Sequence, residues 1–148
     1  MGGDRTRKPP VAPPEKAKKR VLFVCIGNAC RSQMAEAFAR AYGSDVLSAH
    51  SAGLAPAVAL PLLTRRMLVE KNIPSEGQFP KGLQSFQGEP FEVVANLSGQ
   101  PLPPGIAAAR VVEWDVRDPI GQSESVYRAV AAQIEGLVMR LILELRGS

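Results

Sequence analysis

The sequence predicts an α/β protein: a single open four-stranded parallel sheet with helices on both faces. Three observations predict it. The apolar run Val21-Leu22-Phe23-Val24-Cys25 stops at the small-residue loop Ile26-Gly27-Asn28-Ala29-Cys30, and an amphipathic stretch opens at Arg31-Ser32. The first strand is apolar at consecutive positions, as a strand buried on both faces requires. The elements then run strand, helix, strand, helix, strand, strand, helix, the order of crossover units that build a parallel sheet.

Length and composition set the frame. The chain has 148 residues, 45% of them hydrophobic, enough for one domain with an ordinary core. That domain is expected over 20–148, after a flexible, basic, proline-rich tail over 1–19 that lacks the apolar content to offset ordering entropy. The formal charge of +4 belongs to the tail, because residues 1–20 hold seven Lys/Arg against two Asp/Glu. A nearly neutral remainder offers no footprint for nucleic acid. No apolar run approaches membrane-spanning length, and no signal-peptide core precedes the domain, so no membrane partner and a cytoplasmic location are expected. Met1-Gly2 with Thr6 formally fits a myristoylation pattern, but nothing else in the chain supports a lipid anchor. Two cysteines cannot build a disulfide framework, and with one histidine they fall short of a four-ligand metal site. No metal and no cofactor are expected, and no nucleotide-binding fingerprint occurs.

The elements follow in order. The first strand is Arg20–Val24. A helix from Arg31 to Tyr42 puts Met34, Ala37, Phe38, Ala41 and Tyr42 on one face, with Gly43 as its stop. Val46–Ser51 is a second strand, leading into Ala52-Gly53. Pro61–Lys71 reads as a helix with Leu60, Leu63, Met67 and Leu68 inward and an Arg66–Glu70 pair outward. Ser75–Pro90, rich in Gly, Gln and Pro, reads as a loop with one helical turn. Phe91–Leu97 is a third strand, Ala107–Ala109 a short helical piece, and Arg110–Trp114 a fourth strand. Ser123 caps a long last helix with Val126, Val130, Ile134, Leu137, Val138, Leu141 and Leu145 on its buried side.

The loop between the first strand and helix carries the chemistry. Successive backbone N–H groups in such a loop point inward and the helix dipole adds partial positive charge, so the hollow suits a tetrahedral oxyanion. A cysteine at the lip of that hollow is favoured as thiolate, the reactive form. Arg31 can offer paired N–H bonds to the same anion. Cys25, Ser51 and Asp118 all follow strand ends, where ligands gather in open parallel sheets. A thiolate displacing an ester oxygen needs a proton donor for the departing group, and Asp118, stiffened by Pro119, is the candidate, with Asp115 in reserve.

Cys25-Ile-Gly-Asn-Ala-Cys-Arg-Ser resembles the anion loop shared by low-molecular-weight protein tyrosine phosphatases and the arsenate reductases of the same fold. Ser51-Ala52-Gly53 and Asp118-Pro119 extend the resemblance, which covers nearly all of residues 20–146. It implies the phosphotyrosine phosphatase I-like fold, with Cys25 as nucleophile, Arg31 and the loop residues Ile26, Gly27, Asn28, Ala29, Cys30 and Ser32 around the phosphate, and Asp118 as acid and base. It further implies that Asn28 shapes the loop, that Ser32 hydrogen-bonds the Cys25 thiolate and that Ser51 buttresses Asn28. Cys30 is either a partner that closes a protective disulfide on Cys25 or a small buried residue.

Two branches of the resemblance compete. The stretch Ser-Gln-Met-Ala-Glu, residues 32–36, reads closest to the reductases. Yet Asn96-Leu97-Ser98-Gly99-Gln100-Pro101 holds no cysteine for a thiol relay, so a reductase would need Cys30, an external small thiol or glutaredoxin. Every part for ester hydrolysis is present, although Ile120-Gly121 stands where phosphatases carry aromatic residues. The expectation is therefore a phosphatase acting on a phosphorylated protein or small phosphate ester through a phosphocysteine on Cys25. The alternative is an arsenate reductase using arsenate and a thiol reductant. A non-catalytic phosphate-binding module comes third, because binding alone needs neither thiol nor acid.

Overall fold

A computed structural model describes residues 17–147. The myristoylation pattern and all but the last three positions of the expected tail lie outside them. The elements are β1 (Lys19–Cys25), α1 (Arg31–Gly43), β2 (Leu47–Gly53), α2 (Leu62–Glu70), a 3-10 turn (Leu83–Phe86), β3 (Pro90–Asn96), β4 (Ala107–Glu113) and α3 (Glu124–Arg146). The four strands form one sheet in the order β2-β1-β3-β4, with every neighbouring pair parallel. β1 is central. It pairs Cys25 with Gly53 on one side and Val24 with Asn96 on the other, so three strand ends meet at one rim.

Strand alternation divides β1 between two cores. Val21, Phe23 and Cys25 face the larger one, shared with Met34 and Phe38 of α1, Met67 and Leu68 of α2, and Ile134, Val138 and Ile142 of α3. Leu22 and Val24 face the smaller one with Ala52, Phe91 and Val94. All three α-helices among the described residues therefore lie on one face. The opposite face is covered by the 3-10 turn through Leu83 and Phe86, and by the β3–β4 connection through Leu102 and Ile106. The helical content of that second face is this single turn.

Several elements differ from the sequence reading, each for a tertiary reason. Ala107–Ala109 belongs to β4 and is not helical, because Ala107 and Ala108 find ladder partners in Pro90 and Phe91. Gly43 does not end α1 with a left-handed turn. It is the last helical residue, and a Cβ there would stand 2.7 Å from Ile142 Cγ1, so its value is close approach to α3. Arg66 and Glu70 do not pair with each other. Arg66 reaches Glu124 at 3.3 Å and Glu70 reaches Arg128 at 2.8 Å, so both tie α2 to α3. Ser123 caps α3 as expected, its Oγ accepting from the Val126 N–H. Among the described residues no helix is long and apolar enough to cross a membrane.

Candidate active site

Residues 25–32 turn from β1 into α1 at the sheet rim. Their carbonyls are held from outside the loop. Cys25 O accepts from Leu54 N at 3.0 Å, Ile26 O from Ala55 N at 2.8 Å, and Gly27 O from Ala57 N at 2.9 Å. Ala29 O accepts from Thr64 Oγ1 at 2.9 Å. With carbonyls anchored outward, planar trans peptides turn the following N–H groups the other way. Among the described residues nothing accepts from the backbone N–H of Gly27, Asn28, Ala29, Cys30, Arg31 or Ser32. A cluster of unpaired, co-directed amides at a helix start is a seat for an anion.

Asn28 makes the bend possible. Its φ of 48° lies in the left-handed region, which Asn tolerates better than most residues. Its side chain is held at both ends: Nδ2 donates to Ser32 Oγ at 2.8 Å, and Oδ1 accepts from Gln33 Nε2 at 3.0 Å and from Lys81 N at 2.9 Å. Ser32 Oγ also lies 2.8 Å from Cys25 Sγ. Since Asn28 donates to that oxygen, the serine proton is left for the sulfur. The expected contact of Ser51 with Asn28 is not formed. Ser51 Oγ instead donates to Glu36 Oε1, whose second oxygen pairs with Arg40 at 2.8 Å, and Gln33 and the Lys81 amide hold Asn28 in its place. Gly53 matters through its backbone: a Cβ there would sit 2.6 Å from Ile26 O and 2.8 Å from Asn28 N.

Arg31 is buried, 5% exposed. Its Nη1 donates to Leu97 O at 2.6 Å and Val116 O at 3.1 Å, which fixes the guanidinium plane between the ends of β3 and β4. Nη2 lies 3.6 Å from Asp118 Oδ2. Asp118 Oδ1 accepts from Ile120 N at 3.1 Å, a local turn that orients the carboxylate, and Pro119 beside it is buried. Cys25, Gly27, Ala29, Cys30, Arg31, Asp118 and Ile120 line one cavity of about 30 Å³. Asp115 is not among them. A larger cavity of about 230 Å³, between Leu22, Phe86, Phe91 and Pro104, lies under the opposite face of the sheet and holds none of these groups.

Cys30, the loop residue just before α1, is buried at the edge of the main core. Burial pushes its thiol up to about 12, an effect the neighbouring Thr64 hydroxyl partly offsets. Both cysteines are free thiols. His50 lies away from the cavity, near Ser48, Phe86 and Phe91, and burial holds its pKa below the ordinary value. No group of three or more His, Cys, Asp or Glu side chains among the described residues could hold a metal ion. Sequence reasoning named Cys25, Arg31, Ser32, Asn28 and Asp118, which the fold brings together. It assigned no role to Gln33, Thr64 or the Lys81 amide. Gln33 carried a signal, standing next to Ser32 in the stretch that set the two branches apart, whereas Thr64 carried none.

This fold and this loop define an enzyme that works through a catalytic cysteine. The model of the family described as low molecular weight phosphotyrosine protein phosphatase matches residues 20–103, and the chain belongs to that family. Within it the similarities are specific. A relative from Synechocystis sp., named glutaredoxin arsenate reductase, is 36% identical over 86% of this chain and 98% of its own. Arsenate reductase 1 of Bacillus cereus is 32% identical over 79% of this chain and 89% of its own. A solved structure of an arsenate reductase in its phosphate-binding state superimposes with a TM-score of 0.80 at 35% identity, over 86% of this chain and 98% of that one.

These similarities overturn the expectation of a phosphatase. The relatives and structural neighbours that share about a third of their residues with this chain are arsenate reductases. The cavity agrees, since Ile120 stands at its wall and no aromatic ring lines it to clasp a phenyl ester. The lack of a cysteine over 96–101, on which that expectation turned, does not outweigh these similarities.

Proposed function

We propose that this protein reduces arsenate to arsenite, with Cys25 as nucleophile and a thiol from another molecule as reductant. The reading is supported by the names of its relatives and by one structural observation that carries the most weight: Cys25 faces the unpaired amides and Arg31 in one cavity, while the chain holds a single further cysteine, buried as a protonated thiol. Asn96-Leu97-Ser98, where a relay cysteine would be sought, is committed to structure. Leu97 O anchors Arg31, and Ser98 Oγ donates to Asn96 Oδ1 at 2.6 Å.

The steps balance as follows. The Cys25 thiolate attacks arsenic, a sulfur–arsenic bond forms as the bond to one arsenate hydroxyl breaks, and that hydroxyl takes a proton from Asp118 and leaves as water. The loop amides and Arg31 hold the remaining oxygens as charge redistributes. A thiol RSH then attacks Cys25 Sγ. The electron pair of the sulfur–arsenic bond stays with arsenic, which leaves as arsenite, and Cys25 becomes the mixed disulfide Cys25–S–S–R. A second thiol releases RSSR and restores Cys25. One arsenate thus consumes two thiols and needs no second cysteine in the chain. The thiol is of the glutaredoxin type, as the name of the Synechocystis relative has it, and the chemistry suits a reducing cytoplasm.

The test is arsenate-dependent NADPH consumption coupled through glutathione reductase, with glutathione and glutaredoxin supplied. Turnover that is abolished in Cys25→Ser and retained in Cys30→Ala is expected. Absence of arsenate turnover with glutathione, glutaredoxin and thioredoxin alike would refute the proposal.

A further inference from the structure

We infer that Thr64, in the first turn of α2, is a positioning residue of the oxyanion cradle: by holding the Ala29 carbonyl it aims the Cys30 N–H into the hollow. This rests on the oxyanion reading of the site given above.

The loop carbonyls are not all anchored alike. Those of Cys25, Ile26 and Gly27 accept from the backbone N–H groups of Leu54, Ala55 and Ala57, donors that almost any residue supplies. The Ala29 carbonyl depends on a side chain, Thr64 Oγ1, at 2.9 Å within the buried interior. Ala29 and Cys30 both line the cavity, and the Cys30 N–H has no acceptor among the described residues. Because the peptide is trans and planar, the carbonyl and the next N–H point in opposite directions. Fixing the oxygen toward α2 therefore fixes the proton toward the anion. If the peptide turned, the seat would lose a donor and gain a carbonyl oxygen that repels the anion.

Thr64 suits the task. It is fully buried, and its branched β-carbon restricts χ1, which fixes where Oγ1 sits against the Ala29 carbonyl. It also sits beside the Cys30 thiol and the Tyr127 hydroxyl, polar neighbours that wall the space beneath the loop.

The test compares Thr64→Val, which keeps the shape and removes the hydroxyl, with Thr64→Ser, which restores it. Inorganic phosphate is the probe, its dissociation constant read by calorimetry, alongside kcat and KM for arsenate and the melting temperature. Thr64→Val is expected to weaken phosphate binding by roughly 10-fold or more, as loss of one charge-assisted hydrogen bond does. Arsenate KM should rise in parallel, and Thr64→Ser should stay within about 3-fold of wild type. Should Thr64→Val not fold, Thr64→Ala, which leaves room beside the carbonyl, is read the same way. Wild-type affinity in the hydroxyl-free variant, or equal losses in the Ser and Val variants, would overturn the inference. A wild-type protein that binds no phosphate would instead overturn the oxyanion reading itself.

Discussion

Replacing Arg31 with lysine separates two duties that one guanidinium performs. Nη1 is spent on the Leu97 and Val116 carbonyls at 2.6 and 3.1 Å, which leaves the rest of the planar group to face the cavity. A lysine keeps the charge but has one compact ammonium, which cannot hold both carbonyls and also grip an oxyanion in parallel. On the substrate side, loss of one hydrogen bond to a charged group costs about 1.5–3 kcal/mol, or roughly 10- to 150-fold in kcat/KM for arsenate. On the folding side, at least one buried carbonyl is orphaned, which removes about 1–3 kcal/mol of stability. Steady-state turnover with saturating thiol reads the first effect, and urea unfolding reads the second. Arg31→Lys with kcat/KM within about 3-fold of wild type would show that the guanidinium fork does not grip the substrate. Unchanged stability would show that its anchoring is incidental.

Two further predictions follow from the same loop. Because burial pushes the Cys30 thiol up to about 12, it stays protonated below that pH. Iodoacetamide at about pH 8 should thus label the folded protein once, at Cys25, with a second adduct by mass spectrometry only after unfolding. Two adducts on the folded protein would contradict this placement of Cys30. Gly53→Ala would set a Cβ 2.6 Å from Ile26 O and 2.8 Å from Asn28 N, so the loop must move. A loss of about 1–3 kcal/mol in stability is expected, with weaker phosphate binding, and neither change would mean that β2 does not shape the cradle.

The parts of this molecule that announce themselves in the sequence are those built from neighbouring residues. Cys25, Asn28, Arg31 and Ser32 lie within eight positions, and the strand, turn and helix that place them have their own local signals. Asp118 was legible because Pro119 and the end of a strand mark it. What escaped notice depends on residues far apart in the chain. Ala107–Ala109 has no strand pattern of its own and becomes strand only because β3 offers it partners. Ser51 was assigned to Asn28 by resemblance, but the charged pair of Glu36 and Arg40 draws its hydroxyl instead. Thr64 reads as an ordinary polar residue opening a helix, and only the packing of α2 against the loop gives its hydroxyl a carbonyl to hold. The branch of the family was misjudged for a different reason. The stretch over 32–36 pointed to the reductases, but a step that a second molecule can complete needs no relay cysteine in the chain, so its absence over 96–101 misled.

The stretch between α2 and the 3-10 turn has a bearing on timing. Phe79 O and Lys81 N, which hold Gln33 and Asn28, belong to a surface segment with no helix or strand of its own. Such segments open far more often than the protein unfolds. Each opening releases the latch on Asn28, although the latch lies 53 positions along the chain. The shape of the loop around the nucleophile is thus tied to how often this segment opens, which amide exchange at Lys81 would report.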